Sequence, residues 1–151
     1  MYNEEKKNYE KIYTVQNTFL ISYNGSRFDN YLLFSSILEN DIRIKNLLQK
    51  ESDLLNFSFN GNKLVDLCRY LNCSEKNACD NFKINKDKCK LDFDYTKINN
   101  WNDVEFYKNE VLPYLKNDLL SLQKLTKIFN HELYITTGFN LTQSYTAQGI
   151  A

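Results

Sequence analysis

The run Thr18–Phe19–Leu20–Ile21–Ser22–Tyr23 is apolar, aromatic and β-branched, and it stops abruptly at Asn24–Gly25. Apolar residues then recur at helical spacing. This change of period is the strongest constraint on what the chain can fold into. The apolar run predicts a buried strand, and Asn–Gly predicts the turn that ends it. Beyond Ser26, the positions Phe28, Tyr31, Leu32, Ser35 and Leu38 predict a helix of about three turns. A buried strand that passes through a tight turn into a helix belongs in a layered α/β domain. In such domains ligands collect outside the carboxyl ends of the strands.

The rest of the chain agrees with that class. Leu55–Asn56–Phe57–Ser58–Phe59 and Lys63–Leu64–Val65–Asp66–Leu67 flank Asn60–Gly61, which predicts two strands joined by a tight hairpin. Ser74, followed by Glu75 and Lys76, predicts a short helix running to Phe82. Residues 83–102 alternate Lys with Asp and Asn and read as irregular. A long helix is expected from Asp103 to Leu133, bent at Pro113. The organisation is therefore a polar segment over 1–17, a domain over 18–135 and a polar tail over 136–151.

Composition removes several function classes. With 42% hydrophobic and 15% aromatic residues in 151, the chain can build a core, and 4 Gly with 1 Pro exclude a low-complexity chain. Lys+Arg 19 balances Asp+Glu 19, so no global field draws it to nucleic acid or an anionic surface, although a local groove can still be basic. Of those cations 16 are Lys and 3 are Arg, which fits AT-rich codon usage and gives up bidentate phosphate recognition. No stretch approaches the roughly 18 apolar residues of a spanning helix. The start MYNEEKKNYEK does not read as a secretory signal. The expectation is a soluble, intracellular protein with no membrane partner. Cys68, Cys73, Cys79 and Cys89 contain no CxxC pair and His131 is remote, so reduced thiols are expected rather than a zinc site.

Three groups of residues could carry chemistry. In Asn24–Gly25–Ser26–Arg27–Phe28–Asp29–Asn30–Tyr31, Ser26 and Asp29 fit an acidic capping box. Equally, the Asp29 carboxylate would stand at the mouth of the sheet as a hard-cation ligand. On the long helix, Asp118 falls on the apolar stripe Val111, Leu115, Leu122, Leu125 and Phe129, with Tyr114 one turn back. Either that helix is rotated to give Asp118 solvent, or the carboxylate is paired or binds metal. Lys83, Lys86, Lys88 and Lys90, interleaved with Asp87, Asp92 and Asp94 and followed by Tyr95, fit a solvated loop or a contact to single-stranded nucleic acid. His131 stands alone near a helix end and receives no function.

Taken together these segments resemble a known family. ISYNGSRFDNYLL, with Asn24 followed by Phe28–Asp29, resembles the second exonuclease motif of family B DNA polymerases. YLKND, as Tyr114-x-x-x-Asp118, resembles the third. Between them Cys89–Lys90–Leu91–Asp92–Phe93–Asp94–Tyr95 is similar to the lysine motif of the protein-primed branch, and the ending FNLTQSYTAQGIA is similar to the stretch that precedes the palm. That branch serves linear phages, linear plasmids and some mitochondrial elements, which implies a mitochondrial or cytoplasmic genetic element as the setting.

The resemblance implies a ribonuclease-H-like 3′–5′ exonuclease fold working through Mg²⁺ or Mn²⁺ in two-metal chemistry. By it, Asp29 and Asp118 would bind metal, Tyr114 would orient the attacking water, and Lys90 would sit by the scissile phosphate. Asn24, Phe28 and Tyr95, with Leu67 and Cys68, would grip the single-stranded DNA 3′ end. The parent polymerase would engage a terminal priming protein. The family's first motif, Asp-x-Glu, has no counterpart here: 23 residues precede Asn24 and none is Asp. The expectation is an exonuclease fold incomplete at its N-terminal strands, in a chain that is a fragment and inactive alone. The alternative is a catalytically inactive module that binds single-stranded DNA.

Overall fold

In a computed structural model, which describes residues 17–84, 105 and 107–143, the expected first strand forms as β1, Phe19–Ser22. It is only partly covered rather than buried, with Phe19 38% exposed. It leads through a one-turn 3₁₀ segment, Gly25–Arg27, into helix α1, Asp29–Glu39. Three more strands follow: β2 (Ile44–Lys50), β3 (Asp53–Phe59) and β4 (Asn62–Asp66). Then come the single turn α2 (Cys68–Leu71), α3 (Glu75–Asn81), a π-type segment Tyr107–Val111, and α4 (Leu112–Thr137). The chain divides into two units between Tyr70 and Leu71. The α/β class expected from the sequence is what forms.

The first unit is a four-stranded mixed sheet in the order β1-β4-β3-β2. β1 runs parallel to β4, with Ser22 opposite Asp66, and the other neighbours are antiparallel. Asn60 (φ 49°) and Gly61 (φ 75°) both adopt left-handed conformations. That is the two-residue hairpin geometry matching strand twist, so the expected β3–β4 hairpin forms where Asn–Gly placed it. A side chain at Gly61 would also meet Asn17, whose N–H donates to the Asn60 carbonyl at 3.2 Å. β2 was not anticipated. It is exposed along nearly its whole length and is interrupted by irregular register around Leu48, so it shows no alternation to read.

The core of this unit is Ile37, Leu54, Phe57 and Leu64, with Leu20, Leu33, Phe34 and Phe59 packed against it. Phe34 meets Phe57 edge-on at 5.4 Å between ring centroids. Of the residues whose spacing predicted α1, Tyr31 packs against this core. Phe28, Leu32 and Leu38 are 65%, 74% and 53% exposed, and the inward face combines Tyr31 with Asn30, Leu33, Phe34 and Ile37. Asn30 disguised that face. It is buried, and its amide donates to the Leu54 carbonyl at 2.8 Å, which offsets the cost of burying a polar group.

The second unit is helical in its described part. Ser74 caps α3 as expected, accepting the Asn77 N–H at 3.2 Å. Phe82 meets Phe129 of α4 edge-on at 5.8 Å, and Leu125 is fully buried. Pro113, where the sequence predicts a bend, falls just after the π-type segment Tyr107–Val111. It stands in the first turn of α4, and the wider π-type turn ahead of it is where the regular ladder of N–H donors is interrupted. The helix runs on to Thr137 and ends at Gly138 (φ 76°), whose N–H donates to the Tyr134 carbonyl. Beyond it the chain turns back: Leu141 is buried and its N–H donates to Asn130 Oδ1 at 2.9 Å. Among the described residues no helix is long and apolar enough to cross a membrane.

Candidate functional site

β1 and β4 are parallel and end level with one another, so the residues after each emerge at the same end of the sheet. The Leu67 N–H donates to the Ser22 carbonyl at 3.0 Å and continues the pairing past the last strand residues. Asn24, Phe28, Asp29, Leu67 and Cys68 are thereby brought to the carboxyl ends of one parallel strand pair. That is where α/β sheets hold ligands.

Asp66 organises this corner. Only 5% exposed, its carboxylate accepts three backbone N–H groups: Asn24 at 2.7 Å and Cys68 at 3.1 Å on Oδ1, and Ser26 at 3.0 Å on Oδ2. The Ser26–Asp29 capping box expected from the sequence is therefore corrected. The residue before α1 is Phe28, with no side-chain cap, and the acceptor for the turn's N–H groups comes from the neighbouring strand. Asp66 is a site residue that sequence reasoning passed over. Its signal was an acid ending an apolar strand that pairs beside another such strand, and that pairing is invisible until the sheet is built.

The turn is tight in other ways. Asn24 adopts φ 59°, a left-handed conformation that Asn tolerates through local hydrogen bonding. Gly25 has no room for a side chain: a Cβ there would lie 2.7 Å from Ser22 Cβ and would collide with its hydroxyl. Arg27 pairs with Asp53 at 3.4 Å, a partly exposed ion pair of at most about 1 kcal/mol. On this rigid base Phe28 is 65% exposed, and Asp29 is exposed in the first turn of α1. A carboxylate there is favoured by the helix dipole by about 0.3–1 kcal/mol and is free of desolvation cost.

Not every candidate presents a side chain. Leu67 is 0% exposed, so a ligand at this end would meet its main chain rather than its leucyl group. Cys68 is half-buried. In the second unit Tyr114 and Asp118 lie one turn apart on α4, both half-buried, and the buried positions Ser121 and Leu125 follow on the same face. The expected apolar stripe holds at buried Leu125 and at half-buried Val111, Leu122 and Phe129, whereas Leu115 is 45% exposed. Lys90 and Tyr95 lie outside the described residues.

Among the described residues no three His, Cys, Asp or Glu side chains are grouped to hold a metal ion. A magnesium ion needs only one or two carboxylates and keeps its remaining waters. Asp29 suits that role, but the described residues do not fit a two-ion centre. No protein-family model matches the sequence, and neither a characterised protein nor a solved structure is significantly similar to the chain.

Proposed function

We propose that the chain is the 3′–5′ exonuclease region of a protein-primed family B DNA polymerase, with a ribonuclease-H-like fold, and that by itself it grips single-stranded DNA without hydrolysing it. The observation that carries this reading is the turn locked by Asp66, which holds Asn24, exposed Phe28 and exposed Asp29 together at the ends of β1 and β4. An aromatic and a carboxylate on a rigid turn are what a nuclease needs to stack a terminal base and hold a cation near its phosphate. In the parent enzyme, on this reading, Asp29 and Asp118 would contribute ligands for Mg²⁺ or Mn²⁺, and Tyr114 would orient water. Lys90 stabilises charge on the phosphate, and Asn24, Phe28, Cys68 and Tyr95 hold the 3′ end alongside the Leu67 main chain. The parent enzyme carries out DNA replication with a terminal priming protein. Two-ion hydrolysis needs carboxylates for both ions, and the 151 residues hold no Asp-x-Glu ahead of Asn24.

Titrating the protein into a fluorescently labelled oligonucleotide tests the reading. Binding should weaken steeply with salt, and Phe28→Ala and Tyr95→Ala should each lose about 1–3 kcal/mol. A 3′-labelled strand with Mg²⁺ or Mn²⁺ should stay intact. Affinity unchanged in both variants, or 3′ shortening that vanishes in Asp118→Ala, would overturn the corresponding half of the proposal. The exposure of Phe28 equally favours the alternative of a catalytically inactive module that binds single-stranded DNA. The flanking genomic frames discriminate, since only the first reading expects an Asp-x-Glu segment upstream and a palm downstream.

A further inference from the structure

Helix α4 carries a second feature that the DNA reading does not use. Leu112, Leu115, Lys116, Leu119, Leu120 and Gln123 line a shallow hollow of ≈ 530 Å³ on its outer side. The four leucines are 43%, 45%, 66% and 41% exposed. They recur at i, i+3, i+7 and i+8, the spacing of a helix face built to pack against another element. The charges around them are of one sign. Between Leu112 and His131 the sequence holds Lys116, Lys124 and Lys127, all exposed, against a single carboxylate, Asp118. Asp118 is two residues from Lys116 and so lies roughly 160° around the helix, on the half-buried side.

We propose that this face docks an acidic amphipathic helix of a partner protein. Aliphatic side chains on the partner would fill the hollow between Leu115, Leu119 and Leu120, and flanking Asp or Glu would meet the three lysines. The charge pattern disfavours a second copy, because a symmetric pairing would set the same lysines against each other. The proposal uses none of the residues assigned to the DNA reading, and either can fail alone.

The test uses the full chain and two labelled synthetic helices with identical leucine seams, one flanked by Glu and one by Lys. Fluorescence anisotropy should show the Glu peptide binding on the order of tenfold or more tighter than its Lys twin at low salt. Leu119→Asp should abolish that binding. Leu119 is 66% exposed, so the variant is expected to keep the far-UV circular dichroism of the parent chain. The triple variant Lys116→Glu, Lys124→Glu, Lys127→Glu should reverse the preference toward the Lys peptide. Equal binding of both peptides, or no reversal in the triple variant, overturns the proposal. So does Leu119-dependent binding to phosphatidylglycerol vesicles, or Leu119-dependent dimerisation in sedimentation, in place of peptide binding.

Discussion

Removing the Asp66 carboxylate should release the corner that presents Phe28 and Asp29. Hydrogen bonds to a charged acceptor contribute about 1.5–3 kcal/mol each, and Asp66 accepts three, at 2.7, 3.0 and 3.1 Å. The full value will not be lost in Asp66→Ala. Asn24 and Cys68 are half-buried, so water can reach their N–H groups, whereas Ser26 is 3% exposed and its donor is left unsatisfied. The expected destabilisation is about 3–4 kcal/mol. Asp66→Asn should cost less, about 1.5–3 kcal/mol, because the amide oxygen can still accept from Asn24 and Cys68 while its NH₂ group opposes the Ser26 N–H. Urea denaturation followed by far-UV circular dichroism measures the difference. With a slope of about 2 kcal/mol/M the Ala variant should unfold at a midpoint roughly 1.5–2 M lower. Amide exchange supplies the local readout, since Ser26 should lose its protection even in Asp66→Asn. An Ala variant within about 0.5 kcal/mol of the parent, or a Ser26 amide still protected, would refute the idea that this carboxylate holds the turn.

Gly25→Ala should cost about 1–3 kcal/mol through overpacking, and adding Ser22→Ala should not rescue it, because the 2.7 Å clash is with Ser22 Cβ; urea midpoints of the single and double variants check this. On α1, Phe34→Ala should cost about 2–4 kcal/mol while Leu32→Ser stays within about 0.5, a contrast that would be reversed if the helix buried the side carrying Leu32. Burial raises the Tyr70 hydroxyl above its ordinary pKa of 10.0. The folded state therefore keeps this proton longer than the unfolded chain does. The associated stability is present below pH 10 and falls as pH rises through the folded pKa, which ultraviolet titration of parent against Tyr70→Phe should resolve as one late-titrating tyrosine.

Short-range geometry explains which parts of this protein could be read from its residues alone. β1 follows from an unbroken run of apolar β-formers, the β3–β4 hairpin from two residues that accept left-handed backbone at Asn60–Gly61, and the start of α3 from the Ser74 hydroxyl. Each depends on a few consecutive residues, and nothing distant competes with it. The features that escaped depend on partners far along the chain. β2 has no alternating pattern because both of its faces are exposed beyond Ile44, and it is a strand only through its pairing with β3. α1 offered two apolar stripes of similar strength. The sheet selected the one containing Asn30, because the Leu54 carbonyl supplied the acceptor that a buried amide requires. The candidate site divided in the same way: Asn24, Phe28 and Asp29 stand in one local motif, but what holds them in place is Asp66, 42 residues from Asn24. A lone Asp at the end of a strand has no readable role until parallel pairing sets it beside a turn with unpaired N–H groups. Burial then makes the carboxylate and those donors depend on one another.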